Sequence, residues 1–376
     1  MARILIIAGE ASGDVHGANL ARALQELKPG TTILGVGGAR MAVAGVTLVQ
    51  GVRHVDVMGL AGPRVLGAVI QRVRAVRRVL ETEALDAVVL IDNPGLNLHF
   101  ARVAKRAGHR VVYYIAPQLW AWRPGRMNWM QRRVDHVIVI LPFERDLYRR
   151  AGVPCTFVGH PLLDEVKLSY DRAELRKTFM LDSALPVVGL LPGSRGGEVR
   201  ALLPVMLETA TRLEHLYPGI QFVVAQAPTI SDELLEELVA GTRVKVRMVK
   251  DQASEVMAAA DVVVVASGTA TLQTAIVGTP MIIVYRASRL TYWLARSLIK
   301  VKWIGLVNLV AGRSIVPEVI QHDVTPERLT EEAAHLLRDR HASRQMREAL
   351  GAVRDALGEP GASERAAAVV LAVCRT

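Results

Sequence analysis

The stretch Gly189-Leu190-Leu191-Pro192-Gly193-Ser194-Arg195-Gly196-Gly197-Glu198-Val199 decides how the chain reads. The apolar run from Val187 to Leu191 has the composition of a strand buried on both faces. It breaks at Pro192-Gly193, and a helical pattern follows from about Glu198. Glycines let backbone N–H groups come close to a ligand, and a helix N-terminus favours negative charge. Ser194 adds a hydroxyl, and Arg195 adds a cation able to grip phosphate oxygens bidentately. The stretch reads as a diphosphate cradle. An ordinary glycine-rich strand-to-helix turn with a solvated arginine is the alternative.

The same grammar recurs on both sides. Arg3 to Ala8 is an apolar run ending at Gly9, followed by Glu10-Ala11-Ser12-Gly13-Asp14-Val15-His16-Gly17 and an Ala/Leu pattern to about Leu27. The spacing is not Gly-x-Gly-x-x-Gly, so it gives no dinucleotide fingerprint. Glu10, Ser12, Asp14 and His16 crowd a loop at a strand's carboxyl end, where open α/β sheets bind ligands; a mere helix cap by Ser12 or Asp14 is the alternative. Ala87 to Ile91 ends in Asp92-Asn93-Pro94-Gly95, a carboxylate at a strand tip placed for chemistry or for an Asx turn. Further strands are expected at Thr32–Val36, Val111–Ile115 and Val137–Leu141, and a linker near Pro161 to Leu168. The alternation then restarts, with strands at Phe222–Ala225, Val244–Val246, Val262–Val265 and Pro280–Tyr285. Ser267-Gly268-Thr269-Ala270 opens a helix and forms a second anion site.

The fold expected is α/β, two doubly wound Rossmann-like domains facing a central cleft. Residues 1–165 would form the acceptor-side domain and 166–345 the nucleotide-sugar domain, with a helical segment, 346–376, packing back on the first. A nucleotide-linked donor belongs with Arg195 and Ser267. Glu10, His16 and Asp92 are the acid/base candidates. No Asp-x-Asp occurs in the chain, which disfavours metal-dependent glycosyl transfer. No metal and no cofactor is expected; Arg195, backbone N–H groups and helix dipoles would hold the leaving diphosphate.

The formal charge of +10 favours anionic partners, but no motif supports nucleic-acid binding. No apolar run reaches membrane-spanning length, no signal peptide is evident, and Cys155 and Cys374 form no disulfide framework. Val65, Leu66, Val69, Ile70, Val73, Val76 and Leu80 recur at helical spacing among Arg64, Arg72, Arg74, Arg77 and Arg78. Such a helix lies on an anionic membrane or faces a core with its arginines solvated.

As a set, Gly9 to Asp14, Ala116-Pro117-Gln118-Leu119-Trp120-Ala121-Trp122-Arg123, Phe157-Val158-Gly159-His160-Pro161, Leu191 to Val199, Ser267 to Leu272 and Asn308-Leu309-Val310-Ala311-Gly312-Arg313 resemble the lipid-A-disaccharide synthase family, in order from about residue 4 to 323. The resemblance implies an inverting GT-B glycosyltransferase. It would join UDP-2,3-diacylglucosamine to 2,3-diacylglucosamine 1-phosphate, giving a β-1,6-linked disaccharide and UDP. It also implies a cytoplasmic protein, peripheral on the anionic inner face of the inner membrane, with Val65, Leu66, Val69, Ile70 and Val73 as contacts. A homo-oligomer stays open.

Carried over, Asp92 matches the family's essential aspartate and is the expected general base, and Arg195 matches its diphosphate-binding arginine. Glu10, Ser12 and His16 would line the acceptor side. Ser194, Ser267, Gly268, Thr269 and Ala270 would receive the diphosphate, and Asn308 and Arg313 would form a polar loop beside the donor. Two positions depart from the pattern. Gln273 stands where the family usually has a Glu that holds ribose hydroxyls. Gly95 stands where a second Asp often follows the Asp92 loop. A catalytically silent lipid-binding homologue and another UDP-N-acetylglucosamine enzyme, such as a 2-epimerase, are the alternatives.

Overall fold

The computed structural model describes residues 2–9, 11–49, 63–117, 127–287 and 302–375. The chain divides into two compact units, residues 1–161 with 357–376, and residues 162–356.

The first unit contains β1 (Arg3–Ala8), α1 (Ala11–Leu27), β2 (Thr32–Val36), α2 (Ala39–Val43), β3 (Thr47–Leu48), α3 (Pro63–Thr82), β4 (Ala87–Ile91), α4 (Pro94–Arg106), β5 (Arg110–Tyr114), α5 (Met127–Gln131), β6 (His136–Val139), α6 (Pro142–Arg150) and β7 (Cys155–Phe157). The strands form one seven-stranded sheet in the order β3-β2-β1-β4-β5-β6-β7, and every pairing is parallel. Covering both faces of such a sheet requires strands that are apolar throughout. All five residues of β4 are buried. Leu5, Ile7, Val88 and Leu90 face one side, with Val76 and Leu80 of α3 and Phe100 of α4. Ile4, Ile6, Val89 and Ile91 face the other, with Leu20 and Leu24 of α1.

The second unit contains α7 (Leu162–Glu165), α8 (Arg172–Thr178), β8 (Val187–Leu191), α9 (Gly196–Leu216), β9 (Gln221–Gln226), α10 (Asp232–Val239), β10 (Val246–Lys250), α11 (Ala253–Ala259), β11 (Val262–Ala266), α12 (Thr269–Val277), β12 (Met281–Tyr285), α13 (Leu306–Ala311), β13 (Glu318–Ile320), α14 (Pro326–Arg338) and α15 (Arg340–Ala356). Its six-stranded sheet has the order β10-β9-β8-β11-β12-β13, again all parallel. The strand expected at Val244–Val246 runs instead from Val246 to Lys250, because its partner is β9 from Phe222 to Gln226.

The chain re-enters the first unit at Leu357, not at 346. The helix across the expected boundary, α15, packs on α12 and α13 and so stays with the second unit. The last helix, α16 (Ala362–Arg375), packs on α1 and on β4 to β6 of the first unit. The return is clamped by backbone acceptors. Arg365 donates from Nε to the Val158 carbonyl at 2.8 Å and from Nη1 to that of Pro360 at 2.7 Å, while the His160 amide donates to the Leu357 carbonyl at 2.9 Å.

Candidate functional site

In each sheet the strand order reverses direction between the first strand and its neighbour, β1 with β4 and β8 with β11. Ligands of open parallel sheets bind beyond the carboxyl ends of strands at such a switch point. Both strand tips carry the sequence's candidate residues.

In the second unit, β8 ends at Leu191, and α9 begins at Gly196, slightly earlier than expected. Gly193 has φ +111°, and a Cβ there would lie 2.6 Å from Oε2 of Glu198, so this turn requires glycine. At Gly197 the same Cβ would meet nothing. Arg195 is exposed and donates from Nη1 to Oε1 of Glu198 at 2.8 Å. An exposed ion pair is worth about 0–1 kcal/mol, so an arriving diphosphate can take Arg195 from Glu198 at little cost. Ser194 is exposed, with its carbonyl accepting from the Thr229 hydroxyl at 2.5 Å.

One strand across, β11 ends at Ala266. The Ser267 amide is already spent on the Val284 carbonyl at 2.9 Å. The free backbone donors at this tip are therefore those of the first turn of α12, where Thr269 and Ala270 lie. Gly268 is the exposed N-cap, and its carbonyl accepts from the Thr271 hydroxyl at 2.8 Å. One turn on, Gln273 donates from Nε2 to Oγ of Ser254 at 3.3 Å.

Asn308 and Arg313 stand apart from these groups. They precede β13 and so lie toward the amino ends of a parallel sheet, whereas Arg195 and Ser267 follow carboxyl ends. Asn308 is 0% exposed. Its amide nitrogen donates to the Val316 carbonyl and to Glu318, and its oxygen accepts from the Ile315 and Val316 amides. That amide pins the loop into β13. Arg313 is exposed at the rim of a cavity of about 640 Å³ that Glu332, His335 and Gln345 also line.

In the first unit, α1 begins at Ala11, so Ser12, Asp14 and His16 stand on a helix and not in a loop. Helical spacing puts Ser12 and His16, four residues apart, on one face and turns Asp14 to the other. Ser12 is exposed. Asp14 is buried and accepts from the Gly38, Arg40 and Met41 amides at 2.7, 3.0 and 3.2 Å. It therefore caps α2 instead of its own helix. His16 has a shielded Nδ1 without a hydrogen-bond partner, and burial lowers its pKa to about 4. His160 is also held at about 4, by burial first and by His16 second. Both imidazoles are neutral at neutral pH. Glu10 lies outside the described residues, as does the Trp120-Ala121-Trp122 loop.

Asp92 follows the tip of β4. It has φ +46° and Asn93 has φ +40°, two successive non-glycine residues in the left-handed region. Such strain persists only where surrounding contacts over-determine it. The Asp92 amide donates to the Tyr114 carbonyl at 3.2 Å. Its carbonyl accepts from the Tyr113 hydroxyl at 2.6 Å and from Nδ2 of Asn97 at 2.9 Å. Gly9 abuts this loop: a Cβ there would lie 2.7 Å from Cβ of Asn93. The tips of β1 and β4 thus meet. Tyr113 and Asn97 escaped the sequence reading, since a buried Tyr and a helical Asn look like core and surface.

The expected lipid-contacting helix divides. Val73 packs against the core beside buried Val76 and Leu80, which corrects its placement at a membrane. Burying Val76 and Leu80 in the core contributes about 1.5–3 kcal/mol each. Ile70 is 42% exposed, and the side chains of Val65, Leu66 and Val69 lie outside the described ones. Arg72 points inward, 3% exposed, and donates from Nη2 to the Ala8 carbonyl at 2.9 Å. Its spacing of four and eight residues from Val76 and Leu80 carries that signal in the sequence.

A family model described as lipid-A-disaccharide synthetase matches residues 4–373. The chain belongs to the lipid-A-disaccharide synthetase family. It is 43% identical to the lipid-A-disaccharide synthase of Trichlorobacter lovleyi over 99% of this chain and 97% of that one. It is 42% identical to the enzyme of that name from Geobacter sulfurreducens, over 98% and 96%. Among solved structures, the UDP-N-acetylglucosamine 2-epimerase of Neisseria meningitidis aligns with TM-score 0.65 at 12% identity, over 98% and 100% of the two chains. A glycosyltransferase of kitacinnamycin aligns at 0.63 and 16%, over 99% of each. These likenesses show the fold, a GT-B fold with two parallel-sheet α/β domains. Family membership makes the chain a glycosyltransferase of lipid A biosynthesis.

Proposed function

We propose that the chain transfers 2,3-diacylglucosamine from UDP to the 6-hydroxyl of 2,3-diacylglucosamine 1-phosphate, with inversion and without a metal ion. Asp92 accepts the proton of the attacking hydroxyl, the oxygen bonds to the anomeric carbon of the donor, and the bond to UDP breaks. Arg195, Ser194 and the first-turn N–H groups at Thr269 and Ala270 take up the charge of the leaving diphosphate. Gly268 lets that phosphate approach, Ser267 shapes the turn, and Gln273 reaches a ribose hydroxyl. Ser12, His16 and Glu10 belong to the acceptor side. Asn308 holds the loop of Arg313 and does not touch the donor. The observation carrying this reading is the strained, multiply anchored Asp92 loop at the β1–β4 switch point, in a chain of this family.

We also propose that the protein works at an anionic inner-membrane surface. No described helix is long and apolar enough to cross a membrane. A surface hollow of about 370 Å³ between α3 and α4 is lined by Arg102, Arg106, His99 and the ion pair Arg77–Glu81, among others. Arg133 stacks on the Trp129 ring at 3.8 Å. Its pKa is lowered by burial and by Arg102, Arg106 and Arg132, the mark of a dense positive patch.

The test is mass spectrometry of purified protein with both acylated sugars. A disaccharide 1-phosphate together with UDP supports the reading. UDP release without a disaccharide, or N-acetylmannosamine formed from UDP-N-acetylglucosamine, overturns it.

A further inference from the structure

Arg72 carries an unmet demand. Its guanidinium is buried beneath α3, yet only Nη2 has a partner, the Ala8 carbonyl. Nε and Nη1 are shielded from water and have no hydrogen-bond partner among the described residues. Arginine stays protonated in proteins, and a buried charge without a counter-charge is strongly destabilising. A role confined to the Ala8 carbonyl would use one nitrogen and leave the charge uncompensated.

The position decides which anion the guanidinium would suit. Ala8 ends β1 and pairs with Ile91, the residue before Asp92. The guanidinium therefore lies at the switch-point end of the first sheet, beside the strand tips that carry Gly9 and Asp92. The N-terminus of α1 opens three residues after Ala8 and adds donors at the same tip. The donor's diphosphate has its own groups in the second unit, at Arg195 and α12.

We propose that Arg72 binds the phosphate monoester of the acceptor sugar through Nε and Nη1. The inference rests on the preceding reading that the acceptor is a sugar 1-phosphate whose hydroxyl is deprotonated at Asp92. A phosphate dianion both neutralises the guanidinium and accepts from its remaining N–H groups; a free hydroxyl at that carbon can accept a hydrogen bond but brings no charge. The site thereby selects a phosphorylated acceptor over the same sugar lacking the phosphate.

The experiment compares two acceptors, 2,3-diacylglucosamine 1-phosphate and 2,3-diacylglucosamine with a free 1-hydroxyl, on wild type, Arg72→Gln and Arg72→Lys. Wild type should lose about ten- to a hundredfold in kcat/KM when the phosphate is removed, the scale of a charge-assisted hydrogen bond. Arg72→Gln should use both acceptors at that low level with the donor KM unchanged, and Arg72→Lys should regain part of the preference. Should Arg72→Gln fail to fold, wild type still decides: glucosamine 1-phosphate should compete with the acceptor and glucosamine should not. Equal use of both acceptors by wild type overturns the inference, as does an equal loss on both in folded Arg72→Gln. No product from either acceptor overturns the function it rests on.

Discussion

The Tyr113 hydroxyl donates to the carbonyl of Asp92 at 2.6 Å, from the neighbouring strand of the sheet. Tyr113 is fully buried, and its pKa is pushed far up, by burial first and then by Asp92 and Tyr148. The proton therefore stays on the phenol. A permanent donor holds the main chain of Asp92. The base chemistry proposed above belongs to its carboxylate, so anchoring and function would fall on different atoms of one residue.

That separation predicts two different mutant phenotypes. Asp92→Asn keeps the loop but removes the base, so turnover should fall by about two to four orders of magnitude with UDP binding intact. Tyr113→Phe removes one anchor and should cost about 1 kcal/mol of stability, with a smaller loss in kcat. Steady-state kinetics beside thermal melting checks both. Near-wild-type turnover in Asp92→Asn would remove Asp92 from the mechanism.

Arg195 is exposed and pairs with the half-buried Glu198. Arg195→Ala should leave the fold unchanged and weaken UDP binding roughly tenfold or more, since a charge-assisted bond is worth about 1.5–3 kcal/mol. Calorimetric titration with UDP reads this directly. EDTA should leave turnover unchanged. Loss of activity with recovery in magnesium would sink the metal-free account of the leaving group.

Gln273 donates to the Ser254 hydroxyl, which can turn and donate in its place. Gln273→Glu should therefore be tolerated and should preserve or strengthen UDP binding by restoring charge toward the ribose. The same titration applies. A large loss of affinity in a folded variant would mean the position is built around a neutral side chain.

His160 predicts how stability depends on pH. It is 6% exposed and its pKa is lowered from 6.5 to about 4. The unfolded chain therefore binds a proton that the folded chain refuses between these values. Stability from this group is complete above about pH 6.5 and is lost as pH falls toward 4, by roughly 3 kcal/mol at most. His16 acts in the same direction. Melting curves at pH 7 and pH 5 should show a larger drop for wild type than for His160→Asn. An equal drop would refute the buried neutral imidazole.

Much of this architecture is written locally. Val187 to Leu191 and Ala87 to Ile91 are buried strands because nothing polar interrupts them, and the glycine and aspartate breaks mark their tips. The tips hold Arg195, Ser267 and Asp92 for the same reason. Long-range relations were not legible. Asp14 caps a helix 24 residues away, and no local spacing encodes that. Asn308 is placed beside the donor by the family resemblance alone; its partners, Val316 and Glu318, appear only when β13 is in place. The division between α15 and α16 is not local either: both are amphipathic helices, and only packing assigns them to different cores.

The arginines of α3 and α4 provide the last test, because the structure separates core from surface within one segment. Arg102 and Arg106 are exposed along the basic hollow, whereas Val76 is fully buried one turn from Arg72. Near an anionic bilayer each arginine contributes about 1 kcal/mol. The double change Arg102→Glu with Arg106→Glu should therefore weaken binding to anionic vesicles roughly tenfold or more at low salt. The difference should shrink as salt screens it. Melting should shift little, since exposed substitutions usually stay within about 0.5 kcal/mol. Val76→Ser must behave oppositely, lowering the melting temperature through a core defect of a few kcal/mol. Leu66→Ser with Val69→Ser reads the amino-terminal part of the same helix: weaker vesicle binding with unchanged melting assigns those two to lipid. Sedimentation with vesicles of phosphatidylglycerol, run beside thermal melting, measures all three variants. Wild-type protein that ignores such vesicles at low salt would end the membrane reading.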